Sequence, residues 1–162
     1  MTKRIKLIHD KNQNDYTFYG FEKTDKINSN YEQIIENSLI EIKNYDKNRK
    51  LTIYTYGEKN TNHKKPKCQV IFDVSTFATK IEKTDIKKYD GRDQIIQNAI
   101  IQHPIFDILI ENVITEIEKN NFDTISFVCN HGKHRSVGWA EILKKYYYQF
   151  SKIKHIKFKK SK

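Results

Sequence analysis

The sequence predicts an α/β domain: a mixed, largely parallel sheet with flanking helices and a phosphate-binding strand-loop-helix. Three observations carry this expectation. The length of 162 residues suits one domain with a real core. Short β-branched and aromatic runs alternate with stretches of helical period along the chain. One stretch, Thr124 to Phe150, passes directly from an apolar strand through a polar loop into a helix.

Taken in order, Arg4 to His9 alternates weakly, with Ile5 and Leu7 on one side, and Tyr16 to Phe21 is an aromatic run suited to a strand. The polar connector Asp10 to Asp15 between them predicts a hairpin. Ser29 and Glu32 have the capping-box spacing, and Tyr31, Ile35, Leu39 and Ile42 share the face of the helix that follows. Residues 1–50 therefore read as an N-terminal extension, hairpin plus helix, packed on a main domain of residues 51–162. Its aromatic side chains read as packing, not as a base-stacking platform.

Leu51 to Tyr56 is the next strand, closed by Gly57, and Gln69 to Val74 is another; Glu58 to Lys67 between them is an exposed loop whose lysines extend a basic surface. An irregular stretch then runs to the turn at Asp90-Gly91. Asp93 caps a short helix carrying Ile95, Ile96, Ala99 and Ile100, and Pro104 fits the first turn of a longer one with Ile105, Leu109 and Val113 inward. Asn120-Asn121 ends that helix. Ile125, Phe127 and Val128 form the strand before the polar loop Cys129 to Arg135. From Ser136 a helical period places Val137, Ala140, Leu143, Tyr147 and Phe150 on one face. Ile156 and Phe158 alternate with lysines and predict an edge strand.

Composition narrows the function classes. Hydrophobic residues make up 37% and charged residues 31%, and no run of about 18 apolar residues or signal-peptide pattern occurs, so a cytoplasmic protein without a membrane partner is expected. Cys68 and Cys129 read as reduced thiols. The net charge of +10 is concentrated: after Glu141 come Lys144, Lys145, Lys152, Lys154, Lys157, Lys159, Lys160 and Lys162 with no acid among them. Such a block suits a polyanion, most often nucleic acid; a solvated tail is the bland alternative.

The central loop has its own chemistry. At a helix start, unpaired N–H groups and the positive end of the dipole favour an anion, and Lys133, His134, Arg135 and the Ser136 hydroxyl stand there in succession. Arginine adds a fork that grips two phosphate oxygens, and Ser136 can cap the helix or donate to the ligand. Cys129 and Arg135 also stand in the C-x5-R spacing, followed by serine, that resembles the protein tyrosine phosphatase signature. That alternative makes Cys129 the nucleophile, Arg135 the phosphate holder and Asp90 or Asp93 the acid. Val128 stands where that family normally has histidine. Cys129, His131 and His134 form a metal-like cluster without a second ligand pair, so no metal is expected, and the absence of a Walker sequence excludes that route to ATP hydrolysis. No cofactor is expected.

A longer match covers more of the chain. HGKHRSV at 131 to 137, with Cys129 two residues upstream, resembles the GCTGGKHRSV signature of the C-terminal domain of the RapZ family, the RNase adapter proteins. Further pieces agree in order: the strand and glycine at Leu51 to Gly57, Pro66, Val-Ile-Phe-Asp-Val at 70 to 74, Gly91-Arg92-Asp93, Gln102-His103-Pro104 and the basic tail. The resemblance spans roughly residues 51 to 160, without the family's N-terminal nucleotide-binding domain. It implies a non-catalytic, regulatory domain that binds structured RNA and holds an anionic metabolite, a sugar phosphate such as a hexosamine phosphate. By position, Asn130, His131, Gly132, Lys133, His134, Arg135 and Ser136 would form the pocket, with Asp73 near it. Lys144, Lys145, Lys152, Lys154, Lys157, Lys159 and Lys160 would hold RNA phosphates, and self-association is also implied. Asn130-His131 replaces the Thr-Gly pair of the signature, and Ser75 replaces the arginine after Asp-Val.

Overall fold

Five strands lie side by side, every pairing parallel, in the order β1-β3-β4-β2-β5: β1 is Lys3–Lys6, β2 Thr52–Gly57, β3 Val70–Asp73, β4 Thr124–Cys129 and β5 Lys152–His155. They come from a computed structural model that describes residues 2–7, 31–59, 64–77 and 83–156. The expected strand Tyr16 to Phe21, the cap Ser29, Phe158 and the tail lysines Lys157, Lys159 and Lys160 lie outside the described residues. The expected α/β sheet is present, and among the described residues every pairing is parallel. Parallel strands need crossover connections, which is why helical segments separate most of them in the chain.

The helices are α1 (Tyr31–Glu41), α2 (Lys83–Lys88), α3 (Gln94–Ile101), α4 (Phe106–Asn120) and α5 (Arg135–Ile142), the last running into a π-helical turn at Leu143–Tyr147. Strand alternation decides what they cover. Val70, Phe72, Ile53, Ile125 and Phe127 turn to one face and are buried. There Trp139 of α5, also fully buried, meets the rings of Phe77, Phe106 and Phe127 at centroid distances of 5.2, 5.3 and 6.1 Å. Removing that indole would cost about 3–5 kcal/mol. On the same side Glu141 of α5 meets His155 of β5 at 2.7 Å, and Glu116 of α4 meets Lys3 of β1 at 2.7 Å. The other face carries the alternate positions Thr52, Tyr54, Ser126, Ile71, Arg4, Lys6, Lys152 and Lys154. The connection from β2 to β3 returns along it, where the Ser126 hydroxyl donates to the Cys68 sulfur at 3.0 Å. Both cysteines are free.

Several sequence expectations need correction. Leu39 is 37% exposed; Ser38 takes its place in the seam because its hydroxyl meets the Tyr147 hydroxyl at 2.5 Å. Phe150 is 59% exposed, since the π-helical turn breaks the 3.6-residue phase before the chain reaches it. The stretch before Asp90 contains α2 where no element was expected. Pro104 stands ahead of α4, whose N-cap position is Ile105. The end of α4 is as expected: Asn121 adopts the left-handed conformation at φ 56°.

Candidate functional site

The loop 129–135 leaves the carboxyl end of β4, the edge at which parallel α/β sheets bind ligands. Two glycines seat it. Gly132 has φ +69°, and a Cβ there would stand 2.6 Å from the Gly57 nitrogen at the end of β2. A second close approach lies across the helix start, where a Cβ on Gly91 would stand 2.2 Å from the Gly138 nitrogen and 2.5 Å from the His134 carbonyl oxygen. The Gly91 N–H donates to the Lys133 carbonyl at 2.9 Å, and the Gln97 amide donates to the Gly91 carbonyl at 3.0 Å. The turn at residues 90–92 is thus clamped on the first turn of α5.

Inside this frame Cys129 is a buried thiol. Its sulfur accepts the Gly132 N–H at 3.2 Å and its S–H points to the Ser136 oxygen, also at 3.2 Å. Ser136 is itself fully buried, so it neither caps α5 nor reaches outward; the N-cap position is His134, and no side chain caps this helix end. Among the described residues, the backbone N–H groups of the first turn therefore have no intrahelical or side-chain partner.

His134 does a different job from the one its place in the motif suggests. Its Nε2 lies 2.6 Å from the Ile86 carbonyl and 2.8 Å from the Tyr89 carbonyl. Both partners are acceptors, so Nε2 carries the proton and the ring ties the end of α2 to the loop. Burial, helped by the Lys133 charge, holds the ring below its ordinary value and outweighs the opposing pull of the two carbonyls. Arg135, the first residue of α5, donates to the Ser75 carbonyl just after β3. Lys133, His134 and Arg135 are partly exposed, as is Asn130, and His131 is exposed. Cys129, His131 and His134 do not converge on one point, and no group of three or more such ligands gathers among the described residues.

Asp73 stands at the end of β3, where it holds both Arg4 and Ser75, the residue whose carbonyl Arg135 meets. Its Oδ2 accepts from the Arg4 guanidinium at 2.7 Å and its Oδ1 from the Ser75 N–H at 2.9 Å. Burial alone would raise this carboxyl, but the bonds from Ser75 and Arg4 prevail and hold it below its ordinary value. The same guanidinium reaches Glu58 at 2.5 Å, and Lys65 lies 3.3 Å from that carboxylate. Asp93 occupies the N-cap position of α3 but turns its carboxylate back to the Asp90 N–H at 2.9 Å. Asp90 pairs with Arg92 at 2.7 Å, which chiefly lowers it, the opposite of what a general acid needs. Lys145 donates to Gln94 on α3 at 2.6 Å and Lys144 to the Gln149 carbonyl at 3.1 Å, while Lys152 and Lys154 lie exposed on the edge strand.

Residues 49–160 match the RapZ C-terminal domain. The chain belongs to that family. It also resembles a nucleotide-binding protein of Dinoroseobacter shibae, with 29% identity over 83 aligned residues, 46% of this chain and 28% of that relative's length. The chain thus spans well under two thirds of the curated relative it matches. In RapZ terms, the signature loop brings Lys133 and Arg135 to one helix start and assigns Cys129, Ser136 and His134 to its framework. Sequence reasoning named Gly91 as a turn and Ser75 as a departure from the signature without giving either a part in the site, and it gave none to Gly138 or Arg4. A glycine inside an apolar helical pattern, Gly138, was an available signal of close packing.

Proposed function

We propose that the chain is a non-catalytic, regulatory RapZ C-terminal-like domain. It binds structured RNA through lysines and holds a phosphorylated small molecule, a hexosamine phosphate, at the 129–136 loop. Family membership supports a nucleotide- or RNA-directed binding role in general. The observation that carries the finer reading is the uncapped start of α5 with Lys133 and Arg135 beside it. Backbone N–H groups, a guanidinium and an ammonium suit a phosphate, and Asn130, His131 and Gly132 would complete the rim. Ser136 and Asp73 contribute by holding Cys129, Ser75 and Arg4 in place. Residues 1–50 serve as an extension of the family domain, a reading supported by the pairing of β1 with β3.

RNA binding of this kind is electrostatic: lysines displace counterions, affinity falls steeply with salt, and bases are read little. Sugar phosphate can shift RNA affinity only by its differential affinity for the free and RNA-bound protein. The competing reading, a cysteine phosphatase, requires substrate to reach Cys129, whose 2% exposure favours a structural thiol. The test is a titration of labelled stem-loop RNA at low and moderate salt, with and without glucosamine 6-phosphate. Salt-sensitive binding that changes with the metabolite is the expected result. Absence of RNA binding at low salt would remove the reading.

A further inference from the structure

Two of the helices concentrate acid, while α2 and the segment 135–147 carry Lys87, Lys88, Arg135, Lys144 and Lys145. On the helix side, α1 and α4 together carry seven carboxylates and a single lysine, Lys119. Among the described residues, none of the helices that pack on the sheet lies on the opposite face. Strand register brings Lys6 of β1 to one edge of that face and Lys152 and Lys154 of β5 to the other. At about 4.8 Å per strand, the two rows stand about 19 Å apart. Between them runs the segment 64–69, held against the sheet by the Cys68 to Ser126 contact, with Lys64 and Lys67 exposed. The two carboxylates at the carboxyl edge of this face, Glu58 and Asp73, are already paired with Arg4 and Lys65.

We propose that this face, which carries no helix among the described residues, is the RNA surface. Phosphates would lie along Lys67, Lys152 and Lys154, and the helix side with Lys144 and Lys145 takes no part. The inference rests on the RNA-binding reading above and adds where the RNA lies. A polyanion fits better than a protein partner because of what the face lacks. The large exposed apolar side chains among the described residues, Leu39, Ile40, Ile86, Ile95, Ile108 and Phe150, lie on helices or just after the π-helical turn, none of them on this face. Protein interfaces have apolar cores and are depleted in lysine; phosphate-binding surfaces are lysine-rich and polar.

The test uses the full chain and a labelled stem-loop RNA, with anisotropy read across a potassium chloride series. One variant combines Lys67→Gln, Lys152→Gln and Lys154→Gln; the control combines Lys144→Gln and Lys145→Gln. All five side chains are at least partly exposed, and thermal melts check folding. The sheet-face variant is expected to lose at least about tenfold in affinity and to flatten the salt slope by about 2, with the control within about twofold of the parent. Equal losses in both variants, or none in the sheet-face variant, would overturn the surface assignment and leave RNA binding intact. A sheet-face variant that changes sedimentation but not RNA affinity would make this face a contact between copies instead. A parent protein that binds no RNA would overturn both readings.

Discussion

Gly57 and Gly132 touch through their main chains: a methyl group on Gly57 would stand 2.8 Å from the Gly132 nitrogen, and one on Gly132 would stand 2.6 Å from the Gly57 nitrogen. The loop after β4 is therefore seated on the end of β2 by the absence of two side chains. Gly132→Ala combines this clash with a left-handed backbone, which alone costs about 1–2 kcal/mol. The variant is expected to lose at least about 2 kcal/mol in urea unfolding and to lose phosphate binding as well. Unchanged stability would mean that the loop can lift off β2 at no cost.

Cys129 is expected to resist alkylation in the folded protein and to react freely in urea, because its sulfur is enclosed by Gly132 and Ser136. Cys129→Ser should cost about 1–2 kcal/mol and preserve binding. Rapid labelling of the native thiol near neutral pH, or turnover of an aryl phosphate that disappears in Cys129→Ser, would instead support phosphatase chemistry.

Arg135 is held at the helix start by its bond to the Ser75 carbonyl, so its fork is oriented before any anion arrives. Arg135→Ala should weaken glucosamine 6-phosphate binding at least about tenfold by calorimetry, a loss in the range of a charged hydrogen bond. Arg135→Lys should restore part of it. An idle loop predicts no change in either variant.

His134 gives the loop a pH dependence. Its folded value lies below the ordinary 6.5, so the unfolded chain takes up the proton first. The stability contribution is thus fully present above pH 6.5 and declines as pH falls from there through the lower folded value. Urea unfolding at pH 5.5 and 7.5 should show this loss, and His134→Gln should reduce it. Amide exchange near Ile86 and Tyr89 should quicken in the same window. A difference between the two pH values that survives unchanged in His134→Gln would assign the dependence elsewhere.

The centre of the sheet was legible because β2, β3 and β4 are largely buried and read as short apolar runs such as Ile125 to Val128, whereas the exposed edge strand expected at Ile156 and Phe158 lies at Lys152–His155. The direction of the loop into α5 was legible for the same reason. What each loop side chain does was not, because it depends on partners far away in sequence. His134 meets carbonyls at Ile86 and Tyr89, Arg135 meets Ser75, and Asp73 meets Arg4. A motif shows which groups are adjacent along the chain, and half of these turn inward to neighbours that the motif does not contain. Phe150 escaped for a different reason, since periodicity cannot foresee a π-helical turn.

The order of the strands also sets a timetable. Among the described residues the lysine edge β5 pairs only with β2, and Thr52 meets Lys152, a hundred residues later in synthesis. Contacts of such long sequence separation form slowly. In chain order β5 is the last of the described strands, so its pairing with β2 closes the sheet. The strand that carries Lys152 and Lys154 is therefore an edge joined last to a sheet whose centre is already defined by β2, β3 and β4, and loosening that edge leaves the glycine-seated loop on β2 and β4 intact.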